Sequence, residues 1–578
     1  MGDDADDARK AAEEAERALR EAQARADDAR RRADELEATE REATEREAGA
    51  AAADGETQSE LARTVAAAYA FEGAALQIGA LVEDGEARPA AQVRIPLAML
   101  NRHGLVAGAT GTGKTKTLQV LAEQIAGHGV PVFAADIKGD LSGIAVPGSP
   151  SEALTARCVS IGQEWTPTGS RTEFFSLGGV GTGVPIRATV AELGPTLLAK
   201  VLGLNETQES SLGLVFHYAR KRDLALIRIE DLRAVVQHLT SAEGKADLAE
   251  LGGLSKATAG VILRELIAFA DAGADSFFGE PSIAVSDFLR VADDGTGIVS
   301  LLEVPSVADQ PELFSTFLMY LLTRLFSELP EVGDTDKPKL VFVFDEAHLL
   351  FKDASDDFLD TVVQTVRLIR SRGVGVFFVT QTPKDVPGDV LAQLGSRIQH
   401  QLRAHTPADA KALRATVSTY PTSSYDLGEV LTSLATGEAV VTVMNERGAP
   451  SPVAWTRVRA PQGSMEPMPS DAMAAAAQGS PLQARYGTAA AADRGAASVL
   501  EQRKAGQATE PSAAGGEERR GQSGEVYPEG WDEQPDPKPK RRSGSGSRST
   551  RMSPLDRAMG EAGRTFAREI TKRIFGRR

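Results

Sequence analysis

Residues 108–117 have the sequence GATGTGKTKT, and this stretch decides the fold. Its pattern, a glycine and four residues followed by Gly-Lys-Thr, is typical of a phosphate-binding loop. Glycines are needed because the backbone N–H groups turn inward around an anion, and a Cβ would block that turn. Lys114 is predicted to reach the β- and γ-phosphates of ATP, and Thr115 to offer its hydroxyl to Mg²⁺. The predicted nucleotide-binding residues are Gly108, Ala109, Thr110, Gly111, Thr112, Gly113, Lys114, Thr115 and Lys116.

The residues on either side of this loop have the patterns of a strand and a helix. Leu105, Val106 and Ala107 form a short apolar run before it. After it, apolar residues recur at helical spacing in KTLQVLAEQIAGHG, which ends near glycines. This order lets the N-terminus of the helix add its dipole to the anion site. The alternative is a glycine-rich turn with a chance lysine, and the flanking patterns favour the nucleotide site.

Four further apolar runs predict an α/β domain with a mostly parallel sheet. They are Val130 to Ile137, Gly297 to Val304, Lys339 to Glu346 and Gly373 to Gln381. Each is apolar almost throughout, as expected of a strand that helices cover on both faces. The stretch 188–290 is predicted to be an α-helical insertion, in which Asn205 and Gln208 form a capping pair. Residues 438–458 are predicted to form a hairpin around a Gly/Pro turn.

Two acidic residues stand where a hydrolytic site needs them. Asp345 and Glu346 directly follow the apolar run Leu340 to Phe344, so we expect them at the carboxyl edge of the sheet beside the phosphate loop. Asp345 would then bind Mg²⁺, and Glu346 would polarise the attacking water. The alternative is a buried strand that ends in a solvated acidic turn. Thr380 and Gln381 end the next strand, where Gln381 would sense the γ-phosphate or hold the water, unless it is an ordinary strand-end cap.

Several arginines are candidates for completing the site of a neighbouring subunit. Arg367, Arg370 and Arg372 end a predicted helix, where the helix dipole already favours cations. Arg397 and Arg403 lie further along the chain, in GSRIQHQLR. Each could act as a trans-acting finger on a neighbour's nucleotide, and the sequence leaves the choice open. We take Arg370, Arg372 and Arg397 as the candidate catalytic arginines.

The composition bounds the compartment and the chemistry. The chain has 578 residues and a net charge of −17, so it is not a basic nucleic-acid coat, although a few local cations inside a ring would suffice for DNA. The single cysteine, Cys158, excludes an intramolecular disulfide framework and a cysteine-built zinc site, and is predicted to be a small core residue. The acidic start lacks the apolar region of a signal peptide, and no run approaches the ~18 apolar residues of a membrane span. A cytoplasmic protein is expected.

Both ends of the chain are biased in composition and are predicted to lie outside an ATPase domain at 73–459. Residues 1–50 carry a seven-residue repeat with a seam made mostly of alanine, which predicts a weak coiled coil or a lone charged helix. Residues 51–72 are interpreted as a linker and 460–551 as disordered. Residues 552–578 predict a basic amphipathic helix, which docks on the protein's own body or a neighbouring subunit, or else on a membrane surface or nucleic acid.

Together the motifs resemble the HerA-like ATPases of the HerA/FtsK superfamily, in particular the bacterial group with a helicase HerA-like C-terminal domain. The stretches that carry the resemblance are NRHGLVAGATGTGKT, ADIKGDLSG, GPTLLAKVLGLNETQ, VFDEAHLLF, RLIRSRGVGVFFVTQTPKDVP and LAQLGSRIQHQLRAHTP. They cover most of residues 70–458. The resemblance implies a RecA-like P-loop core, a homo-hexameric ring, and ATP hydrolysis coupled to translocation on double-stranded DNA.

The resemblance implies roles for individual residues of this chain. The phosphate-loop lysine matches Lys114, the strand-end acidic pair matches Asp345 and Glu346, and the glutamine that follows matches Gln381. One of the arginines named above would be the finger. Asp136 in ADIKGD matches the acidic residue after the second strand, which would shape the site or the subunit contact.

Two departures from the family and two alternative functions remain. The charged N-terminal helix and the long C-terminal tail lie outside the resemblance. Archaeal HerA proteins carry a β-barrel before the phosphate loop, whereas here only residues 75–100 take its place. Pairing with a nuclease partner through that barrel is therefore in doubt. The leading function is a ring-shaped ATPase motor on double-stranded DNA. The alternatives are a motor on a protein substrate and a nucleotide-dependent scaffold whose terminal helices recruit partners.

Overall fold

A mixed sheet, which has twelve strands among the described residues, carries the phosphate loop near its middle. The computed structural model describes residues 59–250, 253–304, 311–333, 335–352, 356–490 and 495–509. All of them belong to one compact unit. The predicted N-terminal coiled coil and the predicted C-terminal amphipathic helix lie outside these residues.

The sheet is parallel over most of its width. Its strands are β1 (Ala75–Glu83), β2 (Glu86–Pro96), β3 (Gly104–Ala107), β4 (Val132–Asp136), β5 (Thr172–Leu177), β6 (Val184–Ile186), β7 (Val299–Glu303), β8 (Leu340–Phe344), β9 (Val374–Thr380), β10 (Ser396–Gln399), β11 (Glu438–Thr442) and β12 (Ala454–Val458). Their order is β2-β1-β12-β11-β10-β3-β9-β8-β4-β7-β5-β6. Neighbours from β10 to β6 are parallel, and neighbours from β2 to β10 are antiparallel. The predicted α/β fold with a mostly parallel sheet is confirmed.

Helices cover both faces of this sheet. In the described part of the chain they are α1 (Glu60–Ala68), α2 (Lys114–Gly127), α3 (Glu152–Ser160), α4 (Val190–Val201), α5 (Glu206–Lys221), α6 (Ile229–Thr240), α7 (Lys245–Glu250), α8 (Lys256–Asp271), α9 (Pro311–Glu328), α10 (His348–Phe351), α11 (Asp356–Ile369), α12 (Gly388–Leu391), α13 (Pro407–Val417), α14 (Leu427–Ser433), α15 (Ser470–Gly479), α16 (Gln483–Tyr486) and α17 (Ala496–Thr509). Helices α1 and α2 pack on one face of the sheet, and α4, α5, α6, α8, α9 and α11 pack on the other.

The central strands owe their apolar sequences to this double cover. Strands β3, β4, β8 and β9 are buried along their whole length. Alternate residues point to opposite faces, so Phe342 lies in the core beneath α9 and α11, while Val341 and Val343 lie in the core beneath α2. Phe133 stacks on Phe342 with ring centroids 4.7 Å apart, which ties β4 to β8. A strand that is buried on both faces has apolar residues at nearly every position, so its sequence is the continuous apolar run that was predicted.

The predicted helical and hairpin segments are present. Five helices, α4 to α8, lie within the described part of 188–290. The capping pair closes as expected, because Asn205 Oδ1 accepts the Gln208 N–H at 3.1 Å and Gln208 Oε1 accepts the Asn205 N–H at 3.0 Å. Strands β11 and β12 pair antiparallel, as predicted for 438–458.

The interpretation of 51–72 as a linker is wrong for the residues that the structure describes. Helix α1 begins after Ser59, whose hydroxyl accepts the N–H of Ala62 at 3.0 Å. Val65 and Tyr69 are fully buried, and the Tyr69 hydroxyl donates to the Pro452 carbonyl at 2.8 Å. The alanine-rich composition of this stretch gave no sign of a docked helix, but Val65 and Tyr69 fix the helix to the sheet.

The prediction of disorder over 460–551 is likewise wrong for its described residues, up to 509. Helices α15, α16 and α17 occupy part of this stretch. Tyr486 is fully buried, its hydroxyl donates to Asp287 Oδ2 at 2.5 Å, and its carbonyl accepts from the Arg187 guanidinium at 3.0 Å. Leu482 and Leu500 are buried in the same core. Bulk composition misses such a segment, since a few well-spaced apolar residues suffice to dock it.

The structure also places the single cysteine and bears on membrane-spanning helices. Cys158 is a free, buried cysteine that packs with Leu154 and Ala460, which confirms its predicted core position. Among the described residues, no helix has the length and apolarity required to cross a bilayer.

Candidate functional site

The phosphate loop joins the end of β3 to the start of α2. Gly113 precedes the first helical residue with φ of 115°, a left-handed conformation that favours glycine. At Gly108 a Cβ would lie 2.5 Å from the Cβ of His400, so the close approach of these two segments requires glycine. The Ala109 N–H donates to the Gln401 carbonyl at 2.8 Å, which fixes the loop to the chain after β10. The loop glycines are therefore needed for local geometry as well as for anion binding.

The side chain of Lys114 turns back over the phosphate loop. Its ammonium donates to the carbonyls of Gly108 at 2.6 Å and Ala109 at 3.1 Å, and the residue is 8% exposed. Burial lowers the pKa of Lys114, against the opposing charges of Glu346 and Asp345. The structure thus brings the predicted lysine and the predicted acidic pair within electrostatic reach of one another.

Glu346 is held in a strained turn directly after β8. Its φ is 46°, which is uncommon outside glycine, and its side chain is 7% exposed. Lys138 Nζ donates to Glu346 Oε1 at 2.7 Å, while His348 Nδ1 lies 3.2 Å from Oε2 without the alignment of a hydrogen bond. Burial alone would raise the pKa of Glu346, but the hydrogen bond and charge of Lys138 lower it overall. Glu346 is therefore ionised and able to accept a proton at neutral pH.

Asp345 has the opposite electrostatic balance. Burial, followed by the charge of the adjacent Glu346, raises its pKa to about 7. Its Oδ1 accepts the backbone N–H of Glu346 at 2.9 Å, which fixes the carboxylate at the turn. A nearby cation stabilises the ionised form of such a carboxylate, because its charge offsets the free-energy cost of burial.

The predicted magnesium ligands have suitable chemistry. The Thr115 hydroxyl and the Asp345 carboxylate are hard oxygen donors, and Mg²⁺ takes only one or two protein oxygens beside water and phosphate. Within the described ranges no three His, Cys, Asp or Glu side chains converge to hold a metal. A site that relies on substrate phosphates does not need such a cluster, so these two residues fit Mg²⁺.

Lys138 is a site residue that the sequence analysis missed. It lies in the loop after β4, and the carboxylate of Asp136 organises that loop by accepting the N–H groups of Gly139 at 2.7 Å, Asp140 at 3.1 Å and Leu141 at 2.8 Å. Asp136 is fully buried, and burial raises its pKa to about 6. The signal was available in ADIKGD, which begins with the last two residues of β4, a strand that ends at the same sheet edge as the acidic pair.

The end of β9 places Gln381 beside the phosphate loop. A cavity of about 210 Å³ is lined by Gln381, Ala109, Thr110 and Arg403, among others. Thr380 is fully buried, and its hydroxyl donates to Asp385 Oδ2 at 3.0 Å. Thr380 is thus bonded within the chain, whereas Gln381 is exposed beside the loop.

The candidate arginines occupy different regions. Arg370 and Arg372 precede β9, so they lie at the edge of the sheet opposite the phosphate loop. The Arg372 guanidinium donates to the Leu329 carbonyl at 2.8 Å.

Arg397 lies in β10 and donates to Thr419 Oγ1 at 2.9 Å. None of these three contacts its own phosphate loop in the structure described, whereas Arg403 donates to the Thr110 carbonyl at 3.3 Å. A trans role for Arg370, Arg372 or Arg397 stays a prediction.

His400 supports the loop from behind and was also missed. It is fully buried, with Nε2 2.9 Å from Thr117 Oγ1 and Nδ1 2.8 Å from the Glu438 carbonyl. Burial lowers its pKa to about 4, so the ring is neutral at physiological pH. His400 therefore joins the first turns of α2 to β11 and holds the loop between them.

The strand order defines the class of protein. Strand β9 separates the phosphate-loop strand β3 from the acidic strand β8, with β10 on the other side of β3 and β4 beyond β8. A parallel sheet in this order, with the loop and the acidic pair at one edge, is the RecA-like arrangement of a P-loop NTPase.

Comparison with known families defines the group within that class. The model of the helicase HerA-like C-terminal family matches residues 82–578, so the chain belongs to this family. The match confirms the resemblance drawn from the sequence motifs. It also extends over the C-terminal tail, so the placement of that tail outside the resemblance is wrong.

Individual relatives are more distant. The DNA double-strand break repair helicase HerA of Sulfolobus acidocaldarius is 23% identical over 356 residues, 61% of this chain and 64% of its own. A protein named "Probable helicase" from Methanocaldococcus jannaschii is 31% identical over 134 residues, 22% of this chain and 24% of its own. The chain thus spans less than two thirds of the length of these relatives.

Two solved structures are among those that resemble part of this chain. The plasmid coupling protein TrwB, solved with ADP and Mg²⁺, is 16% identical with a TM-score of 0.45, over 69% of this chain and 98% of its own. VirB4 of Thermoanaerobacter pseudethanolicus is 13% identical with a TM-score of 0.44, over 67% of this chain and 97% of its own.

Proposed function

We propose that this protein is a ring-forming motor that hydrolyses ATP and moves along double-stranded DNA in the cytoplasm. The observation that carries the proposal is the meeting of Lys114 with Asp345 and Glu346 at one edge of the sheet, where their charges act on each other. A loop alone would only bind phosphate. A buried, ionised carboxylate beside it adds the base that hydrolysis requires.

The residues divide the work of hydrolysis. The loop N–H groups, the N-terminus of α2 and the Lys114 ammonium bind the phosphates. Thr115 and Asp345 would hold Mg²⁺, which when bound neutralises developing charge on the phosphates. Glu346 accepts a proton from the attacking water at Oε2, the oxygen that has no hydrogen-bond partner in the described part of the chain. Gln381 would hold that water or sense the γ-phosphate.

Membership of the family supports the proposed assembly and substrate. A HerA relative is described as a DNA double-strand break repair helicase, which supports duplex DNA as the polymer. Arg370, Arg372 and Arg397 lie away from their own phosphate loop, as a residue that serves a neighbour's nucleotide would. A ring would let one subunit supply the arginine that the next one lacks. Cations around the pore would then grip phosphates without sequence preference.

The proposal is tested by ATP turnover with and without duplex DNA. We expect turnover that rises with DNA in the wild type and is lost in Lys114→Ala, because that variant lacks the ammonium that would reach the β- and γ-phosphates. Turnover that ignores DNA would favour a protein substrate. Negligible turnover in the assembled protein would favour a nucleotide-dependent scaffold.

A further inference from the structure

A second cavity opens beside α2, outside the groups described so far. It has a volume of about 550 Å³ and lies between the start of α3 and the segment that follows β12. Leu154, Trp165 and Pro461 give it apolar walls, and Arg157 and Met465 also line it. A concave, largely apolar cavity of this size with a few polar groups is typical of a small-molecule site.

Two sets of contacts join this cavity to the phosphate loop. Lys116, in the first turn of α2, donates to the carbonyl of Met465. From the other wall, Arg157 donates to the Gly437 carbonyl at 2.6 Å, and the Gly437 N–H donates to the Thr112 carbonyl at 2.9 Å. A single hydrogen bond thus links the cavity to α2, and a chain of two hydrogen bonds links it to the phosphate loop.

The sheet order fixes which end of a bound triphosphate faces the cavity. Glu346 must face the γ-phosphate, and it follows β8, on one side of the loop strand β3. Arg157 contacts Gly437 and Val458, at the ends of β11 and β12, on the other side of β3. A nucleotide that presents its γ-phosphate to Glu346 therefore extends its other end toward β11 and β12.

We propose that this cavity receives the purine base and ribose of the nucleoside triphosphate whose phosphates occupy the loop. The inference rests on the proposed ATPase function. The Trp165 indole offers an aromatic surface for the base, and its orientation is fixed because Nε1 donates to the Pro461 carbonyl at 2.7 Å. Leu154 is 9% exposed and supplies a second apolar contact. Arg157 donates to the carbonyls of Gly437 and Val458, which fixes the position of its guanidinium.

The tryptophan provides a direct readout. Protein fluorescence is followed while the wild type is titrated with adenylyl imidodiphosphate, which cannot be hydrolysed, and with inorganic tripolyphosphate, which has no base. Binding of each probe is measured in parallel by calorimetry. We expect the nucleotide to quench fluorescence and tripolyphosphate to bind without quenching. The quench is expected to vanish in Trp165→Phe and to persist in the matched control Trp455→Phe.

Affinity gives a second, independent readout. Trp165→Leu is expected to weaken nucleotide binding about tenfold, as for loss of one base–aromatic stack, and to leave tripolyphosphate binding unchanged. Unchanged tripolyphosphate binding also shows that the variant folds. Nucleotide that binds no tighter than tripolyphosphate and leaves Trp165 unquenched would overturn the base site while the phosphate site stands. Failure of both probes to bind the wild type would overturn the ATPase function and the base site with it.

Discussion

Replacement of Asp345 by asparagine is expected to stabilise the nucleotide-free protein while it abolishes hydrolysis. Burial and the charge of Glu346 raise the pKa of Asp345 from its ordinary 3.8 to about 7. The folded state therefore binds a proton more tightly than the unfolded state, and stability falls as pH rises from about 4 to 7. Asparagine keeps an oxygen for the Glu346 N–H, which Asp345 accepts at 2.9 Å, and removes the buried charge.

The magnitude follows from the same shift. A tenfold change in proton affinity is worth about 1.4 kcal/mol, so the ionised Asp345 costs the folded state up to about 4 kcal/mol above pH 7. Solvent relaxation reduces such a cost, and we expect Asp345→Asn to gain about 2 kcal/mol in unfolding free energy at pH 8. At pH 5 the folded wild-type carboxyl is mostly protonated, so less than half of the gain remains.

Denaturant unfolding at pH 8 and pH 5, without nucleotide and with a chelator, measures this difference. Asp293→Asn is the matched control, because Asp293 is an exposed loop carboxylate. Its effect should be close to zero at both pH values. A variant at position 345 that is no more stable than the wild type at pH 8, or that gains equally at both pH values, would refute the electrostatic reasoning.

Three further predictions concern the chemistry and the ring. Glu346→Gln is expected to bind ATP and to hydrolyse it at least about 100-fold more slowly, and a loss under tenfold would exclude Glu346 as the base. Lys138→Met removes the charge that lowers the pKa of Glu346, so the acid limb of the pH–rate profile should move to higher pH, and an unmoved limb would contradict the pairing. If Arg370 is the trans finger, mixing Arg370→Ala with Lys114→Ala subunits should restore part of the turnover that each lacks, and activity per subunit should rise with protein concentration. No recovery on mixing would exclude Arg370, and the same pairing then applies to Arg372 and Arg397.

The elements of the site that sequence reasoning found are those fixed by local constraints. Strands β4, β7, β8 and β9 are buried on both faces, so each had to be a continuous apolar run. The loop needed glycines at positions where a side chain would collide or the backbone is left-handed. Asp345 and Glu346 could be placed at the sheet edge because they directly follow a buried strand.

The features that the sequence analysis missed depend on contacts between distant parts of the chain. Lys138 and Glu346 are separated by 208 residues, and Thr117 and His400 by 283. Neither pair has a local signature, since only the strand order brings the loop after β4 to β8 and the end of β10 to α2. Tyr486 shows the same limit, because it and a few other buried apolar residues dock a segment whose composition predicts disorder.

Movement along DNA is tested most directly by displacement of a third strand from a triplex-bearing duplex. With ATP, the wild type should displace that strand at a rate that follows its DNA-stimulated turnover. Glu346→Gln, which binds ATP without hydrolysing it, should leave the triplex intact. Wild-type protein that hydrolyses ATP on this duplex but never displaces the third strand would contradict the assignment as a DNA motor.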